Sequence, residues 1–100
     1  PQEAEDVLIG HPSVLDVAVI GVPDDDLGEE AKAVVELIDP GTASDALAAE
    51  LLAYCQEHLA RYKCPRSVDF TDQLPREDSG KLYKRRLRDA YWGDRESRIV

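Results

Sequence analysis

"SVLDVAVIGVPDDDLGEEAKAVVELI", Ser13 to Ile38, decides the fold. From Val14 to Val22 the residues are apolar and rich in β-branched side chains, which predicts a strand in a central position of a sheet. The polar stretch from Pro23 to Glu30 predicts a turn, and Ala31 to Ile38 predicts a second strand. So short a link implies antiparallel pairing of the two.

Working outward, "PQEAEDVLIGHP" predicts a short helix. Pro1 suits a first helical position, Ala4, Val7 and Leu8 share one face, and Gly10 with Pro12 stops it. A chain that opens in the first turn of a helix reads as cut from something longer. Downstream, "DPGTASDALAAELLAYCQEHLARY" holds the longest predicted helix. Asp39-Pro40-Gly41 is a turn, and Thr42 with Asp45 resembles a capping box with Asp in place of Glu. Leu47, Leu51, Cys55 and Leu59 recur every four residues, and Leu52 and Tyr54 widen the stripe. Lys63-Cys64-Pro65 ends that element. "RSVDFT" predicts a short third strand, and Asp72 to Lys81 a loop or tight hairpin. A last helix follows from Leu82, with Tyr83, Leu87, Ala90 and Tyr91 as its apolar stripe and Lys81, Lys84, Arg85 and Arg88 on another, basic face. The order predicts an α+β domain: a small antiparallel sheet of about three strands covered by helices, with a lysine-bearing loop before the last helix.

The 100 residues suit one domain, and 43% hydrophobic residues are enough for a core. The net charge of -9 is unevenly spread. Residues 1–60 carry fourteen acidic side chains and one basic, Lys32; residues 61–100 carry eleven basic and seven acidic. The C-terminal part is therefore suited to an anionic contact, although most such charges are simply solvated. Cys55 and Cys64 are too far apart for a Cys-x-x-Cys motif and lack a second pair to complete a zinc site. Two unpaired thiols fit a reducing cytoplasm. No apolar run is long enough for a transmembrane helix, and no signal peptide is visible.

Few constellations carry chemistry. Asp24-Asp25-Asp26 lacks the spacing of a calcium loop and reads as a solvated turn. His11 and His58 each stand without a Cys or Asp at ligand spacing, and no Ser-His-Asp or Cys-His pattern is visible. The conspicuous motif is Gly80-Lys81 within "LPREDSGKLYKRRLRDAYW", Leu74 to Trp92. A glycine permits positive φ, and a lysine on such a turn offers a compact charge with three donors to a phosphate or carboxylate. Arg76 and the basic helix raise the local positive potential. A P-loop is excluded, because Pro75 stands at its first glycine and Leu82 follows the lysine. A nucleic-acid surface is disfavoured by the acidic balance and the 6% aromatic content.

These residues carry a resemblance. "LPREDSGKLYKRRLR" resembles the C-terminal lysine motif of the adenylate-forming superfamily, which includes acyl-CoA synthetases, luciferases and the adenylation domains of peptide synthetases. Pro75, Gly80 and Lys81 match its pattern. The segment from Pro1 to Val35 resembles the superfamily's Pro-x-Glu-x-Glu helix, its strand and its Pro-Asp-x-x-x-Gly-Glu turn, with Pro1, Glu3, Glu5, His11, Pro12, Val19, Gly21, Pro23, Asp24, Gly28 and Glu29 in matching positions. "RYKCPRSVDF" resembles the Tyr-Lys-x-Pro segment before the third strand. Two departures stand out: Ala4 replaces a larger aliphatic residue, and Glu77-Asp78 puts two negative charges before the glycine.

The resemblance implies a C-terminal lid domain, with the large N-terminal domain and the hinge lying outside this chain. In the superfamily a carboxylate attacks the α-phosphate of ATP, pyrophosphate leaves, and an acyl-adenylate forms. The lid then rotates and a thiol such as that of CoA displaces AMP. By this resemblance Lys81 is the catalytic lysine of adenylate formation, and Pro75 and Gly80 shape its loop. ATP, Mg2+ and CoA would be cofactors of the full-length enzyme, with Mg2+ ligands outside this chain and none of the three bound tightly by it. The implied partners are the N-terminal domain of the same enzyme and a carboxylic acid substrate. The basic face at Lys84, Arg85 and Arg88 could approach a CoA phosphate or the large domain, but basic surface residues of this kind are usually just solvated, and the face is not assigned as a site. "RRLRDAYW" favours a fatty or related acid:CoA ligase over the lid of a peptide-synthetase adenylation domain. A regulatory or interaction module stays open beside these, with Lys81 a site of acetylation by a lysine acetyltransferase, which would remove its charge; mass spectrometry after acetyltransferase treatment tests it, and modification missing at Lys81 counts against it.

Overall fold

Chain segments of the expected kinds form in the expected order. The structure is a computed structural model and describes residues 2–93. Helix α1 (Gln2–Leu8) leads into β1 (Val14–Asp24) and β2 (Gly28–Leu37); α2 (Asp45–His58), β3 (Ser67–Thr71) and α3 (Lys84–Trp92) follow. The placement of Pro1 as first helical residue lies outside the described residues. β1 and β2 are antiparallel, with Val17 opposite Val35 and Val19 opposite Ala33. Their turn is closed by Gly28 at φ +80° and by Asp24, whose Oδ1 accepts from the Asp26 N–H at 3.1 Å.

The α+β architecture with three strands is as read from the sequence, but the sheet is mixed. β3 runs parallel to β2, pairing Ser67–Thr71 with Lys32–Glu36. The chain leaves β2, crosses over through α2 and re-enters in the same direction, and a crossover of that length is what parallel pairing requires. The strand order is β1-β2-β3, so β2 is central and β1 is an edge, against the sequence expectation. β1 reads as a nearly continuous apolar run because both of its faces are buried. Val17 and Val19 face one cluster, while Ala18, Ile20 and Val22 face another. Burial on both faces produces such a run whether or not a strand lies in the middle.

The edge of β1 is closed by side chains. The Glu5 Oε2 of α1 accepts from the Val19 N–H at 2.8 Å. The indole Nε1 of Trp92, in α3, donates to the Gly21 carbonyl at 2.8 Å. Two of the groups that an unprotected edge would offer to another strand are thereby satisfied.

α2 begins later than the capping box predicts. Its N-cap is Ser44, whose Oγ accepts from the Leu47 N–H at 3.0 Å. Thr42 belongs to a separate 3-10 turn, Pro40–Thr42, where its hydroxyl donates to the Asp39 carbonyl at 2.7 Å. Proline permits that turn, and the turn takes up Thr42 before the helix starts. At the other end a second 3-10 turn, Arg61–Lys63, separates α2 from Cys64-Pro65.

Two apolar clusters lie on opposite faces of the sheet. The larger joins Ala4 and Leu8 of α1, Leu51 and Cys55 of α2, Cys64 and the inward valines of β1 and β2. The four-residue repeat predicted for α2 is borne out there, since Leu47 and Leu59 pack against the cluster that holds Leu51 and Cys55, but Leu52 and Tyr54, expected to widen the stripe, do not join it. The smaller holds Ala18, Ile20, Val22, Val34 and Leu74, with Leu82, Leu87 and Tyr91 against them. Ala90, expected in the stripe of α3, is exposed; Trp92 is buried instead. α3 is short and packs across β1 through Leu87, Tyr91 and Trp92, which leaves Ala90 on the outer side.

A candidate site at the lysine hairpin

Gly80 and Lys81 sit on a tight hairpin between β3 and α3. Leu74 anchors its entry: the side chain is fully buried, and its N–H donates to Glu36 Oε1 at 3.0 Å. Pro75 follows and restricts the chain as it leaves that anchor. The Pro75 carbonyl accepts from the Tyr83 N–H at 2.9 Å, and Arg76 bridges to Leu82 in antiparallel fashion. The Glu77 N–H donates to the Lys81 carbonyl at 2.8 Å, and the Gly80 N–H to the Glu77 carbonyl, also at 2.8 Å. Gly80 has φ +88°, a left-handed conformation that ordinary side chains disfavour. A Cβ there would meet nothing within 4 Å, so backbone conformation rather than space calls for glycine.

The backbone of Lys81 is therefore fixed while its side chain is exposed. Among the described residues the ammonium has no hydrogen-bond or ion-pair partner. The adjoining concavity, about 570 Å³, is lined by Arg76, Glu77, Asp78, Ser79, Tyr83 and Arg86, with the Arg86 guanidinium 5.3 Å from the Tyr83 ring centre. Such a surface can present a cation to an anionic group but cannot enclose a small molecule. Pro75, Gly80 and Lys81 thus come together as the motif places them.

The basic face of α3 is not the free surface its sequence predicts. Lys84 Nζ lies 2.6 Å from Glu5 Oε2, and Arg88 pairs with Glu29 Oε1 at 2.9 Å. Lys84 ties α3 to α1, and Arg88 ties it to β2. Arg85 is exposed.

Sequence reasoning missed Asp16. Its carboxylate meets the Arg76 guanidinium, whose other arm donates to the Gly80 carbonyl at 3.0 Å. The signal was the one acidic residue within the apolar run Val14 to Val22.

Three other polar groupings are satisfied within the fold. Asp69 accepts from the Tyr91 hydroxyl at 2.6 Å and from Lys32 Nζ at 3.0 Å. Burial works to raise the Asp69 carboxyl, but those hydrogen bonds and the Lys32 charge outweigh it and hold it below the usual range. Burial and the Asp69 hydrogen bond push the Tyr91 hydroxyl upward. The result is a self-satisfied link between β2, β3 and α3. His11 is also satisfied, with Nε2 2.7 Å from Glu50 Oε2 and Nδ1 accepting from the Ser13 N–H at 3.1 Å. Cys55 and Cys64 are free and buried, and burial together with its hydrogen bond to Cys64 pushes the Cys55 thiol up to about 12. A thiol so protonated is not a nucleophile. Among the described residues no group of three or more His, Cys, Asp or Glu side chains converges on a metal site, and no helix is long and apolar enough to cross a membrane.

Comparison with known proteins adds to this geometry. A family model for the AMP-binding enzyme C-terminal domain matches residues 3–81. The long-chain-fatty-acid–CoA ligase of Salmonella typhimurium is 41% identical over 93 residues, covering 93% of this chain and 16% of that protein. The crotonobetaine/carnitine–CoA ligase of Proteus mirabilis is 44% identical over 85 residues, 85% of this chain and 16% of that one. Among solved structures, a Mycobacterium tuberculosis fatty acyl CoA synthetase superposes with a TM-score of 0.80 at 44% identity, over 91% of this chain and 17% of its own. The chain thus spans about one sixth of the length of the curated relatives it matches.

Proposed function

This chain belongs to the family of AMP-binding enzyme C-terminal domains, and from that premise we propose that it is the mobile lid of an ATP-dependent, AMP-forming acid:CoA ligase in which Lys81 serves acyl-adenylate formation. The carrying observation is the exposed ammonium, without a partner among the described residues, on a hairpin whose backbone is fixed. A carboxylate attacking a phosphate brings two anions together. A lysine held between them offsets that repulsion and places both reactants, combining positioning with electrostatic stabilisation. Gly80 sets the direction of the Lys81 backbone, and Leu74 with Pro75 fixes where the hairpin leaves the sheet.

ATP supplies the adenylyl group, and the CoA thiol accepts the acyl group in the second half-reaction. Pockets for ATP and for the acid are assigned to the rest of the protein, the N-terminal domain that this lid would close upon. The Mg2+ that accompanies ATP would be held there too. The named relatives act on different acids, so the substrate class is a carboxylic acid with its side chain undetermined. Their names also favour CoA as acceptor over a peptide-synthetase carrier domain. Free, buried thiols fit a reducing compartment such as the cytoplasm.

The test is Lys81→Ala in the full-length protein, with the two half-reactions assayed separately. Adenylate formation falls by roughly a hundredfold or more, and thioester formation from preformed adenylate is kept. Unchanged adenylate formation would refute the proposal.

A further inference from the structure

One side chain tethers the tip of the lysine hairpin to the sheet. Arg76 Nη1 donates to the Gly80 carbonyl oxygen at 3.0 Å, and Nη2 meets Asp16 Oδ2. Asp16 is itself oriented, since its Oδ1 accepts from the Val17 N–H at 2.9 Å, within β1. The Gly80 carbonyl belongs to the peptide unit that ends in the Lys81 nitrogen. A rotation about the Gly80 Cα–C bond would turn that carbonyl away from Arg76 and carry Lys81 with it. The hairpin is held on either side of this peptide, by the Gly80 N–H to the Glu77 carbonyl and the Glu77 N–H to the Lys81 carbonyl, both at 2.8 Å, but the peptide's own Lys81 N–H has only a long 3.5 Å contact to Ser79 Oγ. The Arg76 and Asp16 side chains are 43% and 23% exposed, and ion pairs near the surface add little to stability. What this arrangement supplies is geometry, because a planar guanidinium with two occupied arms fixes both direction and distance.

We propose that Arg76, oriented by Asp16, is a positioning residue for Lys81 that holds the Gly80–Lys81 peptide in the orientation adenylate formation needs. This rests on the reading of Lys81 as the adenylation lysine. The competing role for Arg76 is direct contact with a phosphate. Asp16 separates the two, because a carboxylate cannot attract a phosphate and acts here only through the arginine.

The experiment uses the full-length protein with Arg76→Ala, Asp16→Ala, Asp16→Asn, the Arg76→Ala/Asp16→Ala double variant, Arg76→Lys and Lys81→Ala. Arg76→Ala and Asp16→Ala are each expected to lower kcat of adenylate formation about tenfold to a hundredfold, with KM for ATP within about twofold. Thioester formation from preformed adenylate is unchanged. The double variant is no worse than the worse single one, as expected for residues acting in one chain of contacts. Arg76→Lys, which can reach only one of the two acceptors, recovers part of the loss. Asp16→Asn keeps the size of the side chain and gives the same reading should Asp16→Ala fold poorly. Full adenylation activity in both Asp16 variants overturns the inference, as does a rise in KM for ATP confined to the Arg76 variants, or an equal slowing of both half-reactions. If Lys81→Ala itself leaves adenylation intact, the lid reading fails. If Lys81→Ala abolishes adenylation while Arg76 and Asp16 are insensitive, only the positioning role fails.

Discussion

Replacing Glu5 by alanine tests how the last helix is held over the sheet. The Glu5 carboxylate is nearly buried, and it bridges α1, the edge of β1 and α3. Its Oε2 takes the Val19 N–H at 2.8 Å and the Lys84 ammonium at 2.6 Å. Glu5→Ala leaves the Val19 donor without its partner, which costs about 1–3 kcal/mol. Losing the Lys84 pair adds about 0–1 kcal/mol, because Lys84 is well exposed. Together the expected loss is about 1–4 kcal/mol, or a fall in Tm of roughly 5–30 °C for a domain of this size. Glu5→Gln keeps an oxygen for Val19 and loses only the charge, so about 1 kcal/mol is expected. The assay is urea unfolding of the 100-residue chain followed by fluorescence of Trp92, its single tryptophan. That indole donates to the Gly21 carbonyl of the same edge, so its signal reports on the contact in question. A Glu5→Ala variant within about 0.5 kcal/mol of the parent would mean that water replaces the carboxylate at no cost, and the argument from a closed edge would be wrong.

Two further outcomes are expected. Gly80→Ala forces a Cβ into a left-handed backbone at φ +88°; it should cost only about 1 kcal/mol in folding yet slow adenylate formation in the full-length protein about tenfold, and full activity would show that the tip tolerates another conformation. Stability should also fall in alkali, because the folded state holds the Cys55 thiol neutral: its contribution is complete below the unfolded pKa of 9.0 and is lost as pH rises toward about 12. Tyr91, also raised, adds to that loss above about pH 10, whereas the lowered Asp69 acts on the acid side, its contribution disappearing as pH falls below about 4. Melting temperatures across this range check both limbs, and an alkaline limb unaltered by Cys55→Ala would rule out the thiol as a contributor.

Local signals were legible in the sequence, and relations between distant segments were not. Val14 to Val22 announced a strand through its composition, but its place at the edge depends on Glu5 and Trp92, which lie outside the strand. The direction of β3 follows from the crossover through α2 rather than from any property of Ser67–Thr71. Thr42 and Asp45 had capping-box spacing, yet Ser44 between them took the cap once Pro40 initiated its own turn. At the candidate site, Pro75, Gly80 and Lys81 were legible because hairpin chemistry is local. The Asp16–Arg76 contact was hidden because its partners lie sixty residues apart and meet only when the hairpin folds back on β1. Likewise the basic residues of α3 read as a face until their acidic partners on α1 and β2 came into view.

The division of the apolar interior into two separate clusters has a consequence for evolutionary drift. The lysine hairpin leans on the smaller cluster through Leu74 and Leu82, whereas all of the packing of α2 belongs to the larger one across the sheet. Substitutions in α2 can therefore accumulate, and reshape the outer surface it presents, without passing strain to the lysine. Change at Val34, Ile20 or Leu74 has no such insulation. Descendants of this fold should vary on the outer face of α2, away from buried Leu51 and Cys55, more than beneath the hairpin, an asymmetry that an alignment of related sequences would display directly.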